Sequence, residues 1–537
     1  MESSPLLHYD PNPCESDGDT AVSRKDNVLP INHNIANSEE TTSPPPSYGS
    51  IDENKNQHLS SVYVKCQTYW YRWYICLIFS LLGFLQGAIW NTWSPIDTSA
   101  KAVYGFTSGD IELLTNWGPI SFIVSMPFFA WLLEEKGLRV SCLSTAFLVA
   151  LGTAVRCLPF QLQVMKYLMH LGQFFNGMGG CVVMATPPLL SNTWFPPNER
   201  ITATGLSTLF NYLGTGGGYI VAEYVKAPSN RSSNLSCFDT KSLKHNDSCA
   251  EVREIRKEIM NVLYVECGIA VFVFLAMLIY FPKRPPLPPS LSASCERMDL
   301  KAGLKIVIRN KRYLVVALVA GLTQGFWGGW TGVMTLILDP LHVTQKEAGN
   351  IGFFMSLSGC VVGMFVGWIT DRLKGKMKRT LVVLFALTLI MFIYFVIVNN
   401  QWLHFVPFLP QSGVIWAACI ILGILSNASV PIAMEMAADA AYPVGEGTST
   451  SILVWLLNIS SFFFLLGLNF SPDPTFANYI MLGSYAIGLP LLILFTKEEN
   501  RRLELDVQRK SISPSTLSSP YGSFDSSCSL KDEAAHA

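Results

Sequence analysis

Twelve long apolar segments limit this chain of 537 residues to a small set of architectures. A helix needs roughly 20 apolar residues to cross the ~30 Å hydrocarbon core of a bilayer. The segments of this length lie at about 73–95, 111–133, 138–158, 165–193, 201–223, 259–281, 313–338, 349–370, 379–398, 413–436, 448–468 and 477–496. Backbone groups left unpaired in lipid are costly, so each segment must be helical. The pattern predicts an all-α, multi-pass protein in a lipid bilayer.

A proline-rich, basic stretch, residues 282–312, divides the segments into six and six. Its basic side chains are Lys283, Arg284, Arg297, Lys301, Lys305, Arg309, Lys311 and Arg312, against the acids Glu296 and Asp299. Lysine and arginine resist translocation, so we expect this linker, and with it both termini, on the cytosolic side. The predicted units are a tail at 1–65, a bundle at 66–281, the linker at 282–312, a bundle at 313–496 and a tail at 497–537.

The loop at 224–258 is the long connection on the opposite side. Its three Asn-x-Ser sequons are at Asn230, Asn234 and Asn246. A sequon in a lumenal loop is an acceptor for N-glycosylation, so we predict a glycoprotein. Cys237 and Cys249 share this oxidising loop, and the sequence leaves open whether they form a disulfide.

The two tails contain short patterns that resemble sorting signals. The N-terminal tail is polar and predicted to be disordered, and it begins with an acidic dileucine pattern formed by Glu2, Leu6 and Leu7. Tyr48 and Tyr521 each stand three residues before a bulky apolar residue, and Tyr48 follows prolines that suit a WW domain. Any one of these patterns can arise by chance. Together they predict clathrin-adaptor and WW-domain contacts and an endosomal or lysosomal membrane.

A charged motif recurs at the same place in both halves. Glu134-Glu-Lys-Gly-Leu-Arg139 stands between the second and third segments, and Asp371-Arg372-Leu-Lys-Gly-Lys stands between the eighth and ninth. Both resemble the signature of the major facilitator superfamily, with glutamate for aspartate in the first copy. A carboxylate that pairs with an arginine across helix ends can hold one state of a rocking carrier. We predict such a latch here; the alternative is a basic cluster with incidental acids.

Motifs of soluble enzymes are absent from the sequence. There is no P-loop pattern G-x-x-x-x-G-K-[ST], and the glycine run from Gly214 to Gly218 fails the dinucleotide fingerprint. The glycines are interpreted instead as a surface for close helix packing. Thirteen cysteines occur without a Cys-x-x-Cys pair or a Cys/His cluster, which argues against a metal site. We expect no cofactor, no nucleic-acid partner and no enzymatic activity.

Polar and aromatic side chains inside the spans are candidate substrate ligands, because burying them in lipid is costly. The candidates are Trp90, Asn91, Trp93, Gln173, Asn176 and Trp330, with Gln86, Gln324 and Trp327 on the same spans. Spans 1, 4, 7 and 10 line the cavity in a two-bundle carrier. Indoles and amides suit a small flat ring or an ammonium group, since a cation–π contact contributes about 0.5–2 kcal/mol. The alternatives are an interfacial aromatic belt and contacts between helices.

Few carboxylates lie deeper than a helix end. Glu266 falls within the sixth span, and Glu435 falls near the cytosolic end of the tenth, one turn before Asp439. Burial disfavours the charged form of a carboxyl, so a buried glutamate can exchange a proton near neutral pH. Glu266 and Glu435 are therefore candidate proton carriers. The alternative for Glu435 is an interfacial acid or a latch.

Several stretches resemble solute carrier family 49 of the major facilitator superfamily. They are Trp90-Asn-Thr-Trp93, Trp117-Gly-Pro-Ile120, Trp194-Phe195 with Glu199-Arg200, Phe281-Pro-Lys-Arg-Pro-Pro-Leu-Pro-Pro-Ser290, and Tyr442-Pro-Val with Glu446-Gly447. The similarity covers about 70–497 and implies the major-facilitator fold, twelve transmembrane helices in two six-helix bundles. His170 matches a family position and joins the candidates for proton coupling. Glu134 and Gly445 depart from the family pattern without changing the fold assignment.

The resemblance implies a transporter. Members of the family carry choline, ethanolamine or haem, and one branch is associated with proton-driven pyridoxine transport in lysosomes. We therefore predict a proton-coupled, electrogenic carrier of a small organic metabolite, with pyridoxine as the first candidate, in the lysosomal membrane. The alternatives are a facilitator of choline, ethanolamine or haem, and a membrane adaptor that displays its tail signals without transporting a solute.

Overall fold

The computed structural model describes most of the predicted membrane region and little of the two tails. The described residues are 27–31, 62–158, 162–226, 228, 247–294, 300–341, 343, 345–373, 375–400, 411–468, 475–497, 501–502 and 504. The predicted sorting residues Glu2, Leu6 and Leu7 and the sequons at Asn230, Asn234 and Asn246 lie outside the described residues. These sites remain predictions.

Helices make up nearly all of the described chain. They are α1 (Arg72–Trp90), α2 (Asp97–Tyr104), α3 (Ser108–Glu135), α4 (Leu138–Arg156), α5 (Leu162–Ala185), α6 (Pro187–Trp194), α7 (Arg200–Gly218), α8 (Val221–Tyr224), α9 (Asp247–Ile279), α10 (Leu291–Ser294), α11 (Leu300–Arg309), α12 (Lys311–Gly332), α13 (Met334–Leu338), α14 (Gln345–Arg372), α15 (Met377–Asn399), α16 (Gln411–Ala441), α17 (Glu446–Leu468) and α18 (Phe476–Phe495). Short 3₁₀ turns occupy Ser94–Ile96 and Asp339–Leu341. Each of the twelve predicted spans corresponds to one helix or to two consecutive helices.

A small sheet precedes the helices. Strand β1 (Asn27–Ile31) pairs antiparallel with β2 (Val62–Cys66), with Asn27 opposite Cys66. The sequence analysis assigned no strand to the N-terminal tail. Neither segment has a long alternating pattern, so period-two hydrophobicity does not mark them as strands.

Ten of the described helices are long and apolar enough to cross a membrane. The fourth predicted span (α5 with α6) and the fifth (α7) fall outside this set, although both are helical. Their composition reflects their neighbours: α5 packs against α1, α3 and α4, and α7 packs against α1, α14 and α16. Helices surrounded by other helices tolerate glycine and polar side chains that lipid would exclude.

The helices form two bundles with the same internal contacts. In the N-terminal bundle α1 packs on α7, α4 on α5, α3 on α5 and α4 on α9. In the C-terminal bundle the equivalent pairs are α12 on α17, α15 on α16, α14 on α16 and α15 on α18. The bundles meet through α7 with α14 and through α3 with α17, which are again equivalent pairs. This repetition is what two related six-helix halves predict.

Glycines allow the innermost helices to approach closely. A Cβ added at Gly214 of α7 would collide with the Phe84 carbonyl of α1, and one added at Gly87 would collide with the Asn211 carbonyl of α7. At the equivalent crossing in the other bundle, a Cβ on Gly325 of α12 would meet the Leu457 carbonyl of α17. The glycine run is therefore a packing surface, as its spacing predicted.

One helix begins earlier than its hydropathy indicates. The predicted loop at 224–258 ends inside α9, which starts at Asp247 and continues through the apolar span to Ile279. Hydropathy places a span boundary at the charged cluster Glu251–Glu258, whereas helical hydrogen bonds do not depend on side-chain polarity.

Below, the end of the molecule where the linker joins α9 to α12 is called the linker side, and the opposite end is called the far side.

Candidate functional site

A cavity of about 730 Å³ lies between the two bundles. Its wall comes from α1, α3, α5 and α7 of the N-terminal bundle and from α12 and α17 of the C-terminal bundle. The lining residues are Gln86, Gly87, Trp90, Gly118, Pro119, Phe122, Gly177, Gly180, Met184, Asn211, Tyr212, Thr215, Gln324, Gly328, Thr331, Leu457, Asn458 and Ser461. Part of this volume is open to solvent. The tenth span, α16, was predicted to line the cavity but contributes no residue to this wall.

The wall combines amides, hydroxyls and aromatic rings. No acidic or basic side chain is among these lining residues. The cavity therefore offers hydrogen bonds and π-faces, and it lacks a fixed countercharge for an anionic solute. A neutral ring or an organic cation fits such a wall.

Gln86 is the centre of a hydrogen-bond network in the N-terminal bundle. Its Oε1 accepts from Asn211 Nδ2 (2.8 Å), and its Nε2 donates to the Asn176 carbonyl (3.3 Å). Asn211 also donates to the Gly83 carbonyl (2.9 Å). These bonds hold two amide side chains of the wall in one orientation, which preorganises this part of the cavity.

Gln324 is a wall residue of the C-terminal bundle, and its side-chain oxygen is buried. Its Nε2 donates to Ser429 Oγ (2.8 Å), while its buried Oε1 has no hydrogen-bond partner in the described structure. A buried acceptor without a partner carries a desolvation cost. Gln324 was noted in the sequence as an amide within a span but was not among the six substrate candidates.

Trp90 is the substrate candidate that the structure places in the cavity wall. Its Nε1 donates to the Thr115 carbonyl of α3 (3.0 Å), so the polar atom of the ring is satisfied. Gly118 leaves the space for the indole, since a Cβ there would collide with Trp90 Nε1. The ring is thereby held as an apolar surface of the cavity.

Three amide candidates join helices instead of facing the cavity. Asn91 donates to the Thr215 carbonyl of α7 (2.8 Å), and Gln173 donates to the Ile89 carbonyl of α1 (3.2 Å). Asn176 donates to the Gln86 carbonyl (3.1 Å). All three are buried. Gln173 and Asn176 satisfy carbonyls of α1, and Asn91 joins the end of α1 to α7, so the three amides fix the position of the wall residues on α1.

Two tryptophan candidates are fully buried outside the wall. Trp93 packs edge-to-face on Tyr104, with ring centroids 6.2 Å apart, in a far-side apolar cluster. Trp330 stacks on Trp327, with centroids 5.4 Å apart, and its Nε1 donates to Asn478 Oδ1 (2.7 Å). Their contacts are those of core residues in each bundle.

Glu266 forms a buried ion pair within the N-terminal bundle. Its Oε2 lies 2.8 Å from Arg156 Nη2, and its Oε1 accepts from Thr92 Oγ1 (2.6 Å). The pair links α9 to α4 and, through Thr92, to the end of α1 beside Trp90. The sequence analysis missed Arg156; the available signal was a single arginine at the far end of an apolar span.

His170 is paired with a tryptophan. Its Nδ1 accepts from Trp117 Nε1 (3.1 Å), which connects α5 to α3. Acceptance at Nδ1 fixes the neutral imidazole as the tautomer protonated on Nε2.

Glu435 lies in a cluster of three carboxylates, with Asp439 and Glu446, that surrounds one arginine. Arg502 Nη2 is 2.7 Å from Glu435 Oε2, its Nε contacts Asp439, and its Nη1 is 3.6 Å from Glu446 Oε1. All four side chains are buried. The sequence analysis placed Glu435 and Asp439 one helical turn apart, and the two side chains lie together in this cluster. The arginine comes from the segment after the last helix.

The two copies of the repeated motif hold the opposite bundle through its helix N-termini. Asp371 accepts from the backbone N–H groups of Ile201 (3.0 Å) and Thr202 (2.8 Å) at the start of α7. In the other copy, a Cβ on Gly445 would collide with the Glu134 carboxylate, which therefore lies against the start of α17. A carboxylate at a helix N-terminus is stabilised by the exposed N–H groups and the helix dipole.

The predicted latch pairs a carboxylate with an arginine across the helix ends, and this pairing stays a prediction. Arg372 is exposed and lies over the Trp368 ring, 3.8 Å from its centroid. Arg139 has no ion pair among the described residues. The acidic member of each motif reaches across the bundle interface instead, because a free helix N-terminus stands there.

Further contacts close the linker side below the cavity. Thr450 of α17 donates to the Ala185 carbonyl of α5 (2.6 Å), and Trp455 Nε1 donates to the Ile123 carbonyl of α3 (3.0 Å). Nearer the far side, Tyr219 donates to the Thr331 carbonyl (3.2 Å). The structure therefore has its linker side shut.

No group of three or more His, Cys, Asp or Glu side chains arranged to hold a metal occurs in the described part of the chain.

Comparison with known proteins places this geometry in a family. The model of the Major Facilitator Superfamily matches residues 75–465. A solute carrier family 49 member 4 homolog of Xenopus tropicalis is 38% identical over 439 residues, which cover 81% of this chain and 93% of the relative. A choline/ethanolamine transporter of Mus musculus is 26% identical over 402 residues, covering 74% and 69% of the two chains.

Solved structures show the same fold at low identity. The fucose:proton symporter FucP in the outward conformation superposes with a TM-score of 0.58 at 13% identity, over 79% of this chain and 98% of that one. The proton:xylose symporter XylE bound to 6-bromo-6-deoxy-D-glucose has a TM-score of 0.58 at 13% identity, over 81% and 99%. Both are described as transporters of the major facilitator superfamily.

Proposed function

The chain belongs to the major facilitator superfamily and, within it, to solute carrier family 49, and from this premise we propose that it carries a small organic metabolite across the lysosomal membrane together with protons. Pyridoxine is the leading candidate for the solute. The family assignment makes the chain a multi-pass transporter and favours transport over a purely adaptor role.

The observation that supports this choice of solute is the uncharged wall of the cavity. Trp90 and Tyr212 supply aromatic surface, Gln324 supplies a free acceptor, and Asn458 and Ser461 supply further polar groups. Pyridoxine is a small aromatic ring with several hydroxyls, so it matches both kinds of surface. Haem fits less well, because its two carboxylates would meet no basic side chain in this wall.

Transport proceeds by alternating access. The structure is shut on the linker side, which the basic linker assigns to the cytosol, and on the far side the Tyr219–Thr331 bond and the Lys346–Glu223 ion pair also join the bundles. Release to the cytosol requires the bundles to separate where Asp371 contacts α7 and where Glu134 lies against α17. The two predicted latch carboxylates, Asp371 and Glu134, thus make the contacts that a transport cycle breaks and restores.

Proton coupling is assigned first to Glu266. Its hydrogen bond from Thr92 connects it to the end of α1, two residues beyond Trp90 in the cavity wall. A change in the charge of Glu266 would therefore affect the cavity wall through the last turn of α1. Glu435 and His170 remain the other candidates. A pH difference of two units supplies about 2.7 kcal/mol per proton, enough to concentrate a neutral solute roughly a hundredfold.

Uptake of labelled pyridoxine tests the proposal. The full chain with Leu6→Ala and Leu7→Ala would be directed to the plasma membrane, and uptake would be measured at acidic and at neutral external pH. We expect saturable uptake that increases at acidic pH, and we expect Glu266→Gln to abolish the increase. Uptake of pyridoxine that does not differ from untransfected cells would contradict the solute assignment, and equal uptake at both pH values would contradict proton coupling.

Choline is the second candidate solute, because relatives of this chain are described as choline/ethanolamine transporters. Its quaternary ammonium group can lie on the faces of Trp90 and Tyr212. The same cells distinguish the two solutes: labelled choline that enters independently of pH, and that excess pyridoxine does not displace, would favour a facilitator of choline.

The predicted sorting signals give a separate test of location. Deletion of residues 1–65 removes the acidic dileucine and the Tyr48 pattern but none of the helices. We expect the shortened chain to reach the plasma membrane and to transport at the rate of the dileucine variant. Loss of transport in a correctly inserted chain would point to a tail that acts in the transport cycle or to an adaptor.

A further inference from the structure

Helix α11 (Leu300–Arg309) is a short helix of the basic linker that lies next to a membrane span. The span is α12, which starts at Lys311 and is long and apolar enough to cross the bilayer. Asn310 forms the corner between the two helices: its backbone is extended, and its side-chain oxygen accepts from the Arg312 (3.1 Å) and Tyr313 (3.2 Å) amides. Because one residue separates the helices, α11 lies where α12 enters the lipid.

One face of α11 is covered by protein. Gly303 and Val307, one turn apart, are buried, and a Cβ on Gly303 would collide with Val444 at the corner before α17. The helix packs against α12 and α17 and also contacts α3 of the opposite bundle. Asn310 Nδ2 donates to the Ala440 carbonyl (2.8 Å), which fixes the end of α11 to α16. Only the outer face of this helix is left for a further partner.

The outer face of α11 has an apolar strip beside a basic stripe. Leu304 is 39% exposed and Ile308 is 55% exposed, and they are one helical turn apart. Lys301, Lys305 and Arg309 follow each other at the same spacing and are exposed as well. Since a helix turns about 100° per residue, the apolar strip lies between the buried face and the basic stripe. No described carboxylate lies within ion-pair distance of these three bases.

The chemistry of this face matches a lipid surface with negative headgroups. At the boundary between water and lipid, apolar side chains enter the acyl region while lysine and arginine side chains extend to the phosphates. Water alone would leave Leu304 and Ile308 without an apolar contact, and a neutral lipid would leave three cations without a countercharge. An anionic lipid surface satisfies both groups, and a bilayer is present at this level of the molecule because α12 crosses it.

We propose that α11 is a binding surface for anionic phospholipids. Leu304 and Ile308 insert at the boundary of the acyl chains, and Lys301, Lys305 and Arg309 bind the negative groups of the lipid headgroups. The linker is thereby held against the bilayer at the point where it enters the C-terminal bundle. This surface lies outside the cavity and does not depend on the identity of the transported solute.

Hydrogen–deuterium exchange of the full chain in lipid nanodiscs tests this surface. One set of discs contains phosphatidylcholine alone, and the other also contains about 30% phosphatidylserine. We expect the amides of residues 300–309 to exchange at least about fivefold more slowly in the phosphatidylserine discs, because binding opposes local opening of the helix. Salt at about 0.5 M should remove most of this difference, since it screens the headgroup charge. Free glycerophosphoserine added to the phosphatidylcholine discs should not reproduce the protection, because it lacks acyl chains.

Substitutions in the basic stripe locate the effect. The test variant is Lys301→Gln with Lys305→Gln, and we expect it to lose the slowing that phosphatidylserine causes in α11. The matched control is Lys283→Gln with Arg284→Gln, which removes two exposed charges from the linker outside α11 and should keep the slowing. Ile308→Ser removes an apolar contact and should speed exchange of α11 in both kinds of disc.

Equal exchange of α11 in the two kinds of disc, or the same loss of the effect in the control variant, would overturn the proposal. Protection of α11 that increases with protein concentration in detergent, and not with phosphatidylserine, would assign this face to a second copy of the chain and would also overturn it. Because no solute is used, failure of this proposal leaves the proposed transport function unaffected.

Discussion

The two bundles repeat one helix arrangement but place their tryptophans differently. Near the far end of α1, Trp90 forms part of the cavity wall and is partly exposed. Near the far end of α12, the equivalent helix, Trp330 is fully buried and bonded to Asn478 of α18. Tryptophans near the far ends of equivalent helices thus contact the cavity in one bundle and the core in the other.

Buried charge differs between the bundles in the same way. The pair of Arg156 and Glu266 lies inside the N-terminal bundle. The cluster around Arg502 lies at the bundle interface, where Glu435 already bonds to the other bundle. A charge inside a rigid body can change protonation without separating the bundles, whereas a charge at the interface must be rearranged whenever they separate. Position relative to the moving interface decides the role of each group.

The largest effect that we expect from a substitution is a loss of stability in the C-terminal bundle. Trp330→Ala should lower the free energy of unfolding by about 3–5 kcal/mol, because it removes a fully buried ring stacked on Trp327. Thermal unfolding in detergent measures the loss. Trp90→Ala is the matched control and should cost clearly less, since its ring borders the cavity. Equal losses at the two positions would show that Trp90 is also a core residue.

A loss of similar size is expected when the internal pair is broken. Arg156→Met leaves Glu266 buried without its cation, which should cost about 3–5 kcal/mol of stability. The double variant Arg156→Met with Glu266→Gln removes both charges, and we expect it to recover most of the loss. A double variant as unstable as the single one would mean that Arg156 acts through packing and not through its charge.

The interface carboxylates should have smaller effects that are local. Asp371→Asn weakens the bonds from the Ile201 and Thr202 amides and removes a charge from the start of α7, at a cost of about 1–3 kcal/mol. Hydrogen exchange of those amides should increase. Arg372→Gln serves as the control, since Arg372 lies on the Trp368 ring. An equal increase in hydrogen exchange in this variant would support the arginine pairing that the sequence predicted.

Substrate affinity should depend on Trp90, which lies in the part of the cavity wall that the N-terminal bundle supplies. Trp90→Ala is expected to raise the KM for the transported solute by about two- to thirtyfold, the equivalent of a ring contact of about 0.5–2 kcal/mol. Trp90→Phe keeps a π-face and should retain most of the affinity. An unchanged KM in the alanine variant, at normal surface expression, would remove Trp90 from the site.

The smallest expected effect comes from the C-terminal wall. Gln324→Met keeps the length of the side chain but removes the free acceptor Oε1, and we expect the KM to rise by about two- to tenfold. Asn458→Leu, which changes another wall residue bonded to the Val454 carbonyl (2.9 Å), tests whether any polar loss has this effect. Choline bound with its trimethylammonium end, and not its hydroxyl, toward Gln324 should be less sensitive to Gln324→Met.

Spacing along a helix predicted which residues share a face but not what that face contacts. Gln173 and Asn176 are three residues apart, as expected for one face of α5, and both bond to backbone carbonyls of α1. Asn211 and Tyr212 of the wall lie in a glycine-rich span that hydropathy marks only weakly. A helical period has no information about the neighbouring helix, so amides that join helices and amides that face a solute have the same pattern.

The amino-acid sequence alone determined the membrane class, the positions of the helices, the division by a basic linker and the family. These properties depend on local apolar content and on contiguous motifs, and lipid enforces helices wherever the apolar content is high. Tertiary structure decided which polar side chains border the cavity, that Glu266 is paired with Arg156, and that Arg502 returns to three carboxylates. Each of these contacts joins residues far apart in the chain, and only the packing of helices brings them together.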